Sequence, residues 1–252
     1  MITVDKIGIG VVTSSNLKKR YNVCKNTWLK DFENTYLFGG NGNDPSLINI
    51  TEAGEDYRSH FLKQQLGLKY MYDDNDSLNW YCMTSCDAIL FKDSTIRELS
   101  KYDHNEDIVL CQPGGVWSSN PIREIHGGDL VDDKFRAIAG GGGFFISNSL
   151  MKKCYPIIDN FNKHWSDVSG NCYPYSDVAF AYMINKYFNI KVTHLYYILG
   201  QPPSHYESAI IGNSDTKWYT NYEISLSDCL KTPMSFHYIK PDQMEDVYEK
   251  YK

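Results

Sequence analysis

The sequence contains no hydrophobic run long enough to cross a membrane. Its first apolar segment, residues 7–12, is interrupted by glycines. A spanning helix needs roughly 20 apolar residues, and the core of a signal peptide is also longer than this segment. We therefore expect a soluble, cytoplasmic protein without a membrane span.

The sequence also has no block of basic residues. Its 25 Lys and Arg residues are outnumbered by 31 Asp and Glu residues, which gives a formal net charge of -6 at pH 7. Binding to a nucleic-acid backbone requires clustered positive side chains, so this composition argues against a nucleic-acid partner. A small molecule or a neutral glycan fits the charge better.

The 7 cysteines lack the dense, even-numbered spacing of a disulfide scaffold, which is typical of a reducing compartment. Cys82 and Cys86 have no second ligand pair at suitable spacing, which argues against zinc. The abundance of Asn, Lys, Tyr and Ile suggests an AT-rich genome and hence a microbial or viral source.

What the chain does contain is enough apolar material for a large core. Hydrophobic residues make up 42% and aromatic residues 14% of its 252 residues. No internal repeat, low-complexity tract or linker divides the sequence. We therefore expect one domain over residues 1–252.

Strand and helix signals alternate through the first half of the chain. Residues 7–13 predict a buried strand, and residues 17–29 predict the helix that follows it. A second strand is expected at residues 36–38, a helix at residues 57–66 and a further strand at residues 107–111. This order predicts an α/β fold of the nucleotide-binding kind.

The pattern is looser in the second half. Ser176 is expected to cap a helix over residues 177–188, and residues 191–199 predict a strand. His205 follows two prolines and a serine, which indicates a rigid loop with an exposed imidazole.

The most informative segment covers residues 79–91, where an aromatic-rich strand enters a short polar turn with a single acid, Asp87. It matches the pattern Trp-aromatic-Cys-x-x-Asp-Asp-Asp, except that Ser85 and Cys86 replace the first two acids. Before it, Thr13 ends a strand, Arg20 follows, and Thr-Trp at residues 27–28 closes a helix.

Further motifs follow in order. Residues 140–147 match Gly-Gly-x-Gly-Phe-x-Ile-Ser, and Asp177 retains one acid of a pair that opens a helix. His205 lies in a segment that matches Ser-His-x-Glu. Taken in this order, from residue 9 to about residue 241, the motifs resemble those of the fringe-like β-1,3-glycosyltransferases.

The resemblance implies a single GT-A-type domain with a Rossmann-like mixed sheet flanked by helices. Residues 1–115 would form the nucleotide-sugar-binding half and residues 116–252 the acceptor-binding and catalytic half. The implied reaction moves a sugar from a UDP-sugar to a hydroxyl of a glycan or glycoprotein, with inversion to a β-linkage. A divalent metal, Mn, would neutralise the diphosphate.

The resemblance also assigns roles to individual residues. Asp177 would deprotonate the acceptor hydroxyl, and Asp87 with His205 would hold the metal. The remaining candidates are Thr13 and Arg20 for the donor, and Gly141, Gly142 and Trp117 for the acceptor or sugar pocket. The glycine run fits this role because a backbone that approaches a ligand closely leaves no room for a Cβ.

Several alternatives stay open. His237 rivals His205 as a ligand, Arg20 could belong to a solvated helix face, and Asp177 could merely stabilise a helix N-terminus. Since two acids are replaced, the metal shell could be completed by donor phosphates and water, or the enzyme could need no metal. A degenerate glycan-binding pseudoenzyme with the same fold is the alternative from another functional class.

Overall fold

The computed structural model describes residues 2–112, 138–169, 175–212 and 225–252. Trp117 lies outside these ranges. The described strands are β1 (Ile7–Val12), β2 (Asn34–Gly39), β3 (Ile48–Asn49), β4 (Trp80–Ser85), β5 (Ile89–Leu90), β6 (Val109–Cys111), β7 (Phe144–Ser147), β8 (Thr193–His194), β9 (Ile198–Leu199) and β10 (Ser235–Phe236). The described helices are α1 (Lys18–Asn26), α2 (His60–Asp74), α3 (Lys92–Leu99), α4 (Asn148–Cys154), α5 (Phe161–Ser169), α6 (Ser176–Phe188), α7 (Pro203–Ile211), α8 (Leu226–Lys231) and α9 (Met244–Tyr251).

A mixed sheet of seven strands forms the centre of the fold, in the order β3-β2-β1-β4-β7-β6-β8. The strands from β3 to β4 run parallel, whereas β7 is antiparallel to both of its neighbours. Every residue of β1 is buried, as expected for a central parallel strand covered on both faces.

Helices cover both faces of this sheet, and the side chains of β4 alternate between two cores. Tyr81 and Met83 pack with α2 and α6, whereas Trp80 and Cys82 pack with α1 and α9. In the described part of the chain the helices therefore bury both faces of the sheet, and its strand ends are open to a ligand.

A smaller sheet of three strands, in the order β5-β10-β9, joins the C-terminal part of the chain to the segment after Asp87. Strand β10 is antiparallel to β5, and the backbone N–H of Ile239 donates a 2.9 Å hydrogen bond to the carbonyl of Asp87. This pairing brings His237, the residue after β10, next to the polar turn.

The architecture confirms the predicted fold class, a mixed α/β sheet flanked by helices, but two predicted boundaries are wrong. Helix α2 continues to Asp74 instead of ending at residue 66, because Leu68 and Met71 extend its buried face. The strand expected over residues 191–199 is two short strands, since β8 pairs with β6 and β9 pairs with β10.

Two local predictions are also wrong. Ser176 is the first residue of α6 rather than its cap, and its hydroxyl lies 2.8 Å from Nδ1 of His60. His205 lies in the first turn of α7, not in a loop, because Pro203 occupies an initial helical position, where no N–H is needed.

Within the described ranges, no helix is long and apolar enough to span a membrane.

Candidate active site

The candidate residues gather around a cavity of about 780 Å³ at the carboxyl ends of β1 and β4. Val12 and Ser85, the last residues of these strands, are paired in the sheet, so the turns that follow them lie side by side. The predicted residues that line the cavity are Thr13, Arg20, Asp87, Gly141, Asp177 and His205. Ligands bind at this edge in open α/β sheets.

Three side chains contact the carboxylate of Asp87. Its Oδ2 accepts a 3.2 Å hydrogen bond from Nη1 of Arg20, and its Oδ1 lies 3.3 Å from Nε2 of His237. The hydroxyl of Ser85, which replaces the first motif acid, donates to Oδ1 at 2.5 Å. Both oxygens of the remaining motif acid therefore have partners.

These contacts keep the carboxyl group of Asp87 ionised. Burial on its own would raise the pKa, but the hydrogen bond and charge of His237, the hydrogen bond of Ser85 and the charge of Arg20 lower the pKa to about 2. Asp87 is therefore a carboxylate at neutral pH and places a fixed negative charge in the cavity.

Asp177 lies at the start of α6 beside the glycine run. The backbone N–H of Gly140 donates to its Oδ2 at 3.2 Å, and that of Val178 donates to its Oδ1 at 2.9 Å. Burial raises the pKa of this carboxyl above its usual value, although these hydrogen bonds and the charge of His237 oppose the rise. A partly buried carboxylate with a raised pKa is a better proton acceptor than an ordinary surface acid.

The backbone of the glycine run packs tightly against neighbouring side chains. A Cβ on Gly141 would lie 1.9 Å from Cε1 of His237, and a Cβ on Gly140 would lie 2.6 Å from Cβ of Asp177. The run therefore lets backbone pack directly against two cavity side chains. Gly141 lines the cavity, whereas Gly142, outside the lining, faces Ile198.

Lys63, a buried lysine of α2, reaches the end of β1. The ammonium of Lys63 donates a 3.0 Å hydrogen bond to the carbonyl of Thr13, and its side chain lines the cavity. Desolvation lowers the pKa of Lys63, while the charges of Glu55 and Asp56 oppose that shift. Lys63 thus adds a positive group to the same wall as Thr13.

Glu55 holds the turns that follow β1 and β2. Its Oε2 accepts a hydrogen bond from the N–H of Ser15 at 2.5 Å, and its Oε1 accepts from Gly40 at 2.7 Å and Gly42 at 3.2 Å. One carboxylate therefore fixes the backbone of two adjacent strand ends, beside the cavity that it lines.

The two histidines considered for metal binding lie in different surroundings. His237 contacts Asp87 and is largely buried, with 12% of its side chain exposed. His205 is exposed and lines the cavity from α7, and among the described residues it has no hydrogen bond or ion pair with Asp87. The structure therefore brings Asp87 together with His237, the rival in the sequence analysis.

Sequence reasoning missed Lys63, Glu55 and His60. One signal was available for Lys63, because Lys63, Gly67 and Met71 are spaced four residues apart and so share the buried face of α2. Glu55 and His60 carry no such signal, since they act through contacts with distant segments.

The sequence matches the family model described as Fringe-like over residues 2–241. Among curated proteins, the chain is 22% identical over 199 residues to "Beta-1,3-N-acetylglucosaminyltransferase lunatic fringe" of Xenopus laevis, with 76% of this chain and 52% of that protein covered. It is 24% identical over 207 residues to the Danio rerio protein of the same name, with 76% of this chain and 53% of that protein covered. The chain spans about half the length of these relatives. They are animal proteins, which does not support the microbial or viral source suggested by composition.

The fold is similar to those of solved glycosyltransferases. The galactosyltransferase LgtC, solved with donor and acceptor sugar analogs, superposes with a TM-score of 0.56 at 10% identity, covering 97% of this chain and 96% of that one. The apo form of glycosyltransferase GlyE from Streptococcus pneumoniae TIGR4 superposes with a TM-score of 0.54 at 12% identity, covering 99% of this chain and 60% of that one. At these identities the likeness establishes the GT-A fold alone. The Fringe-like match extends over nearly the whole sequence and includes every segment that lines the cavity, and on this ground the chain belongs to the fringe-like family.

Proposed function

We propose that the protein is an inverting glycosyltransferase that moves a hexose or N-acetylhexosamine from a UDP-sugar to a hydroxyl of a glycan or glycoprotein, with formation of a β-linkage. The observation that carries the proposal is the presence of Asp177 and the Asp87–His237 pair on the wall of the same cavity. The name of the frog and fish relatives, an N-acetylglucosaminyltransferase, favours UDP-N-acetylglucosamine as the first donor to test.

Asp177 acts as the general base. Its carboxylate takes the proton of the acceptor hydroxyl, whose oxygen attacks the anomeric carbon of the donor sugar. The bond from that carbon to the diphosphate oxygen breaks, and UDP leaves with the electron pair. The raised pKa of Asp177 suits this role, since a base is more effective when its pKa approaches the working pH.

The donor lies at the ends of β1 and β4. Thr13 would contact the nucleotide, and Arg20 and Lys63 would contribute positive charge to the part of the cavity that takes the diphosphate; all three line the cavity. Arg20 also contacts Asp87, so its guanidinium can link the carboxylate to the donor phosphates.

The residues present fit a divalent ion, Mn, with two protein ligands. Asp87 offers a carboxylate oxygen, the kind of ligand that suits Mn, and His237 offers an imidazole nitrogen next to it. In the described ranges, no three His, Cys, Asp or Glu side chains are grouped closely enough to bind a metal. The donor phosphates and water would therefore complete the shell. When bound, the ion supplies charge that stabilises the departing diphosphate.

A glycan-binding pseudoenzyme is the second candidate, and the replacement of two motif acids by Ser85 and Cys86 favours it. Cys86 is buried, and Ser85 is hydrogen-bonded to Asp87, so neither supplies the lost charge. Against this candidate stand the retained Asp177 and its raised pKa.

The release of UDP from UDP-N-acetylglucosamine and UDP-galactose separates the two functions. We expect UDP release with Mn, a lower rate in excess EDTA, and its loss in the Asp177→Asn variant. Full activity in EDTA would exclude an obligatory ion. Absence of UDP release from both donors in every metal condition would reject the transferase in favour of the pseudoenzyme.

A further inference from the structure

Two tyrosines at the cavity are unusually exposed. Tyr57 is 64% exposed and Tyr238 is 56% exposed, and in the part of the chain that the structure describes no phenylalanine, tryptophan or other tyrosine is more exposed than these. Both line the cavity that contains Asp177. Exposed aromatic rings concentrated at one cavity mark a binding surface, whereas isolated ones are ordinary surface residues.

Tyr238 is held in place at some energetic cost. Its φ of 58° lies in the left-handed region, which a tyrosine seldom adopts. Its ring stacks on the imidazole of His237 with the ring centres 3.7 Å apart. Backbone strain of this kind persists only where the surrounding structure enforces it, and it is frequent at ligand-binding positions.

Tyr57 lies close to the same groups. Its ring is 6.0 Å from that of His60, which also lines the cavity. Desolvation raises the pKa of Tyr57, and the charge of Asp177 raises it further, so these two side chains lie within electrostatic range of each other. Both exposed rings therefore line the same cavity as the carboxylate that would receive the acceptor proton.

From this arrangement we infer that Tyr57 and Tyr238 form the acceptor subsite, and that its occupant is a pyranose ring of a glycan. The inference rests on the proposed function, since it takes Asp177 as the base. A sugar ring has an apolar C–H face that packs on an aromatic ring and a polar edge that can direct a hydroxyl to a carboxylate. A tyrosine suits such a ligand because its ring offers a flat apolar surface for this face.

Binding of methyl hexopyranosides tests the subsite without relying on turnover. Saturation-transfer NMR would be recorded for a panel of methyl glycosides of the common hexoses, with saturating UDP present. We expect signals from at least one member, and a roughly tenfold weaker affinity in Tyr57→Ala. Tyr57→Phe, which keeps the ring, should bind as the wild type does.

Tyr70→Ala is the matched control, because Tyr70 is 42% exposed and does not line the cavity. Melting temperatures would show that each variant folds. The subsite would be overturned if no glycoside gave a signal, or if Tyr57→Ala bound the glycoside as tightly as the wild type. It would also be overturned if Tyr57→Ala bound UDP more weakly than the wild type, or if the enzyme transferred sugar only to peptides.

The Asp177→Asn variant distinguishes this inference from the proposed function. We expect it to bind the glycoside and to lose transfer. Transfer by Asp177→Asn would reject the base but leave the subsite standing. If Tyr57→Ala bound the glycoside as the wild type does and Asp177→Asn were inactive, the subsite would be rejected and the proposed function would stand.

Discussion

Nε2 of His237 lies 3.3 Å from Oδ1 of Asp87, although the two residues are 150 positions apart in the sequence. The antiparallel pairing of β10 with β5 creates this contact, because β5 follows Asp87 and β10 precedes His237. The pair offers one carboxylate and one imidazole to a ligand in the cavity. It therefore carries the metal-binding part of the proposed site.

Replacement of His237 should weaken metal use more than replacement of His205. We expect His237→Ala to raise the Mn concentration for half-maximal activity by at least roughly tenfold, because one of the two proposed protein ligands is lost. His205→Ala is the matched control, since it removes an exposed imidazole from the same cavity. A larger effect in His205→Ala would assign the ligand to His205 instead.

Much of the fold could be predicted because local patterns and packing agree. The buried run of β1 and the helix after it follow from hydrophobic spacing alone. The division of residues 191–199 could not be predicted, since β8 and β9 pair with strands that are distant in the sequence. Periodicity reports which residues are buried, but not which partner buries them.

The site was predictable to the extent that motif residues lie at strand ends. Thr13 comes directly after β1 and Asp87 comes two residues after β4, and the carboxyl ends of these strands share an edge. The choice of His237 over His205 depends on the smaller sheet, and the role of Glu55 depends on three backbone N–H groups from two turns. Contacts between residues so far apart in the chain cannot be predicted from a local sequence pattern.

Removal of the Asp177 carboxylate should abolish transfer and leave UDP binding nearly unchanged. The expected loss is on the order of 10² to 10⁴ in kcat, as is usual for a general base. Single-turnover rates with UDP-N-acetylglucosamine and the Kd for UDP would be measured for Asp177→Asn. Strong transfer by this variant would show that Asp177 is not the base.

The raised pKa of Asp177 also has a consequence for stability. The pKa of the folded state exceeds the unfolded value of 3.8, so this group favours the fold at low pH and that contribution is lost as pH rises through the folded pKa. We therefore expect Asp177→Asn to gain stability relative to the wild type as pH increases from about 4 to 7. Urea unfolding at several pH values checks this, and a constant difference would contradict it.

A methyl group on Gly141 should disturb His237. Because its Cβ would lie 1.9 Å from Cε1 of the imidazole, Gly141→Ala should displace the ring and destabilise the protein by about 1–3 kcal/mol. It should also raise the Mn requirement, as His237→Ala does. In Gly8→Ala, the control, the methyl meets the flexible side-chain ends of Leu78 and Met71 in the core. That variant should lose stability but keep its Mn requirement.

Lys63 should contribute to donor binding through its charge. Lys63→Met keeps the length and apolar stem of the side chain but removes the ammonium from the cavity, so we expect at least a roughly tenfold higher Kd for UDP. Calorimetry with UDP measures the effect. The control is Lys69→Met on the same helix, since Lys69 pairs with Asp159 outside the cavity. Equal affinities in the two variants would limit Lys63 to holding the Thr13 carbonyl.

His60 should make the protein acid-sensitive. Burial, and then the charge of Lys63, lower its pKa to about 4, below the 6.5 of an ordinary histidine. The unfolded chain therefore binds a proton at a higher pH than the folded one, and stability falls as pH drops from about 6.5 toward 4. His60→Asn should remove this pH dependence, because an amide does not titrate in this range. Urea unfolding of both proteins between pH 7 and pH 4 would reveal a flatter curve for the variant. Parallel curves would mean that the folded protein accommodates the charged imidazole, and that the contact with Ser176 does not depend on a neutral ring.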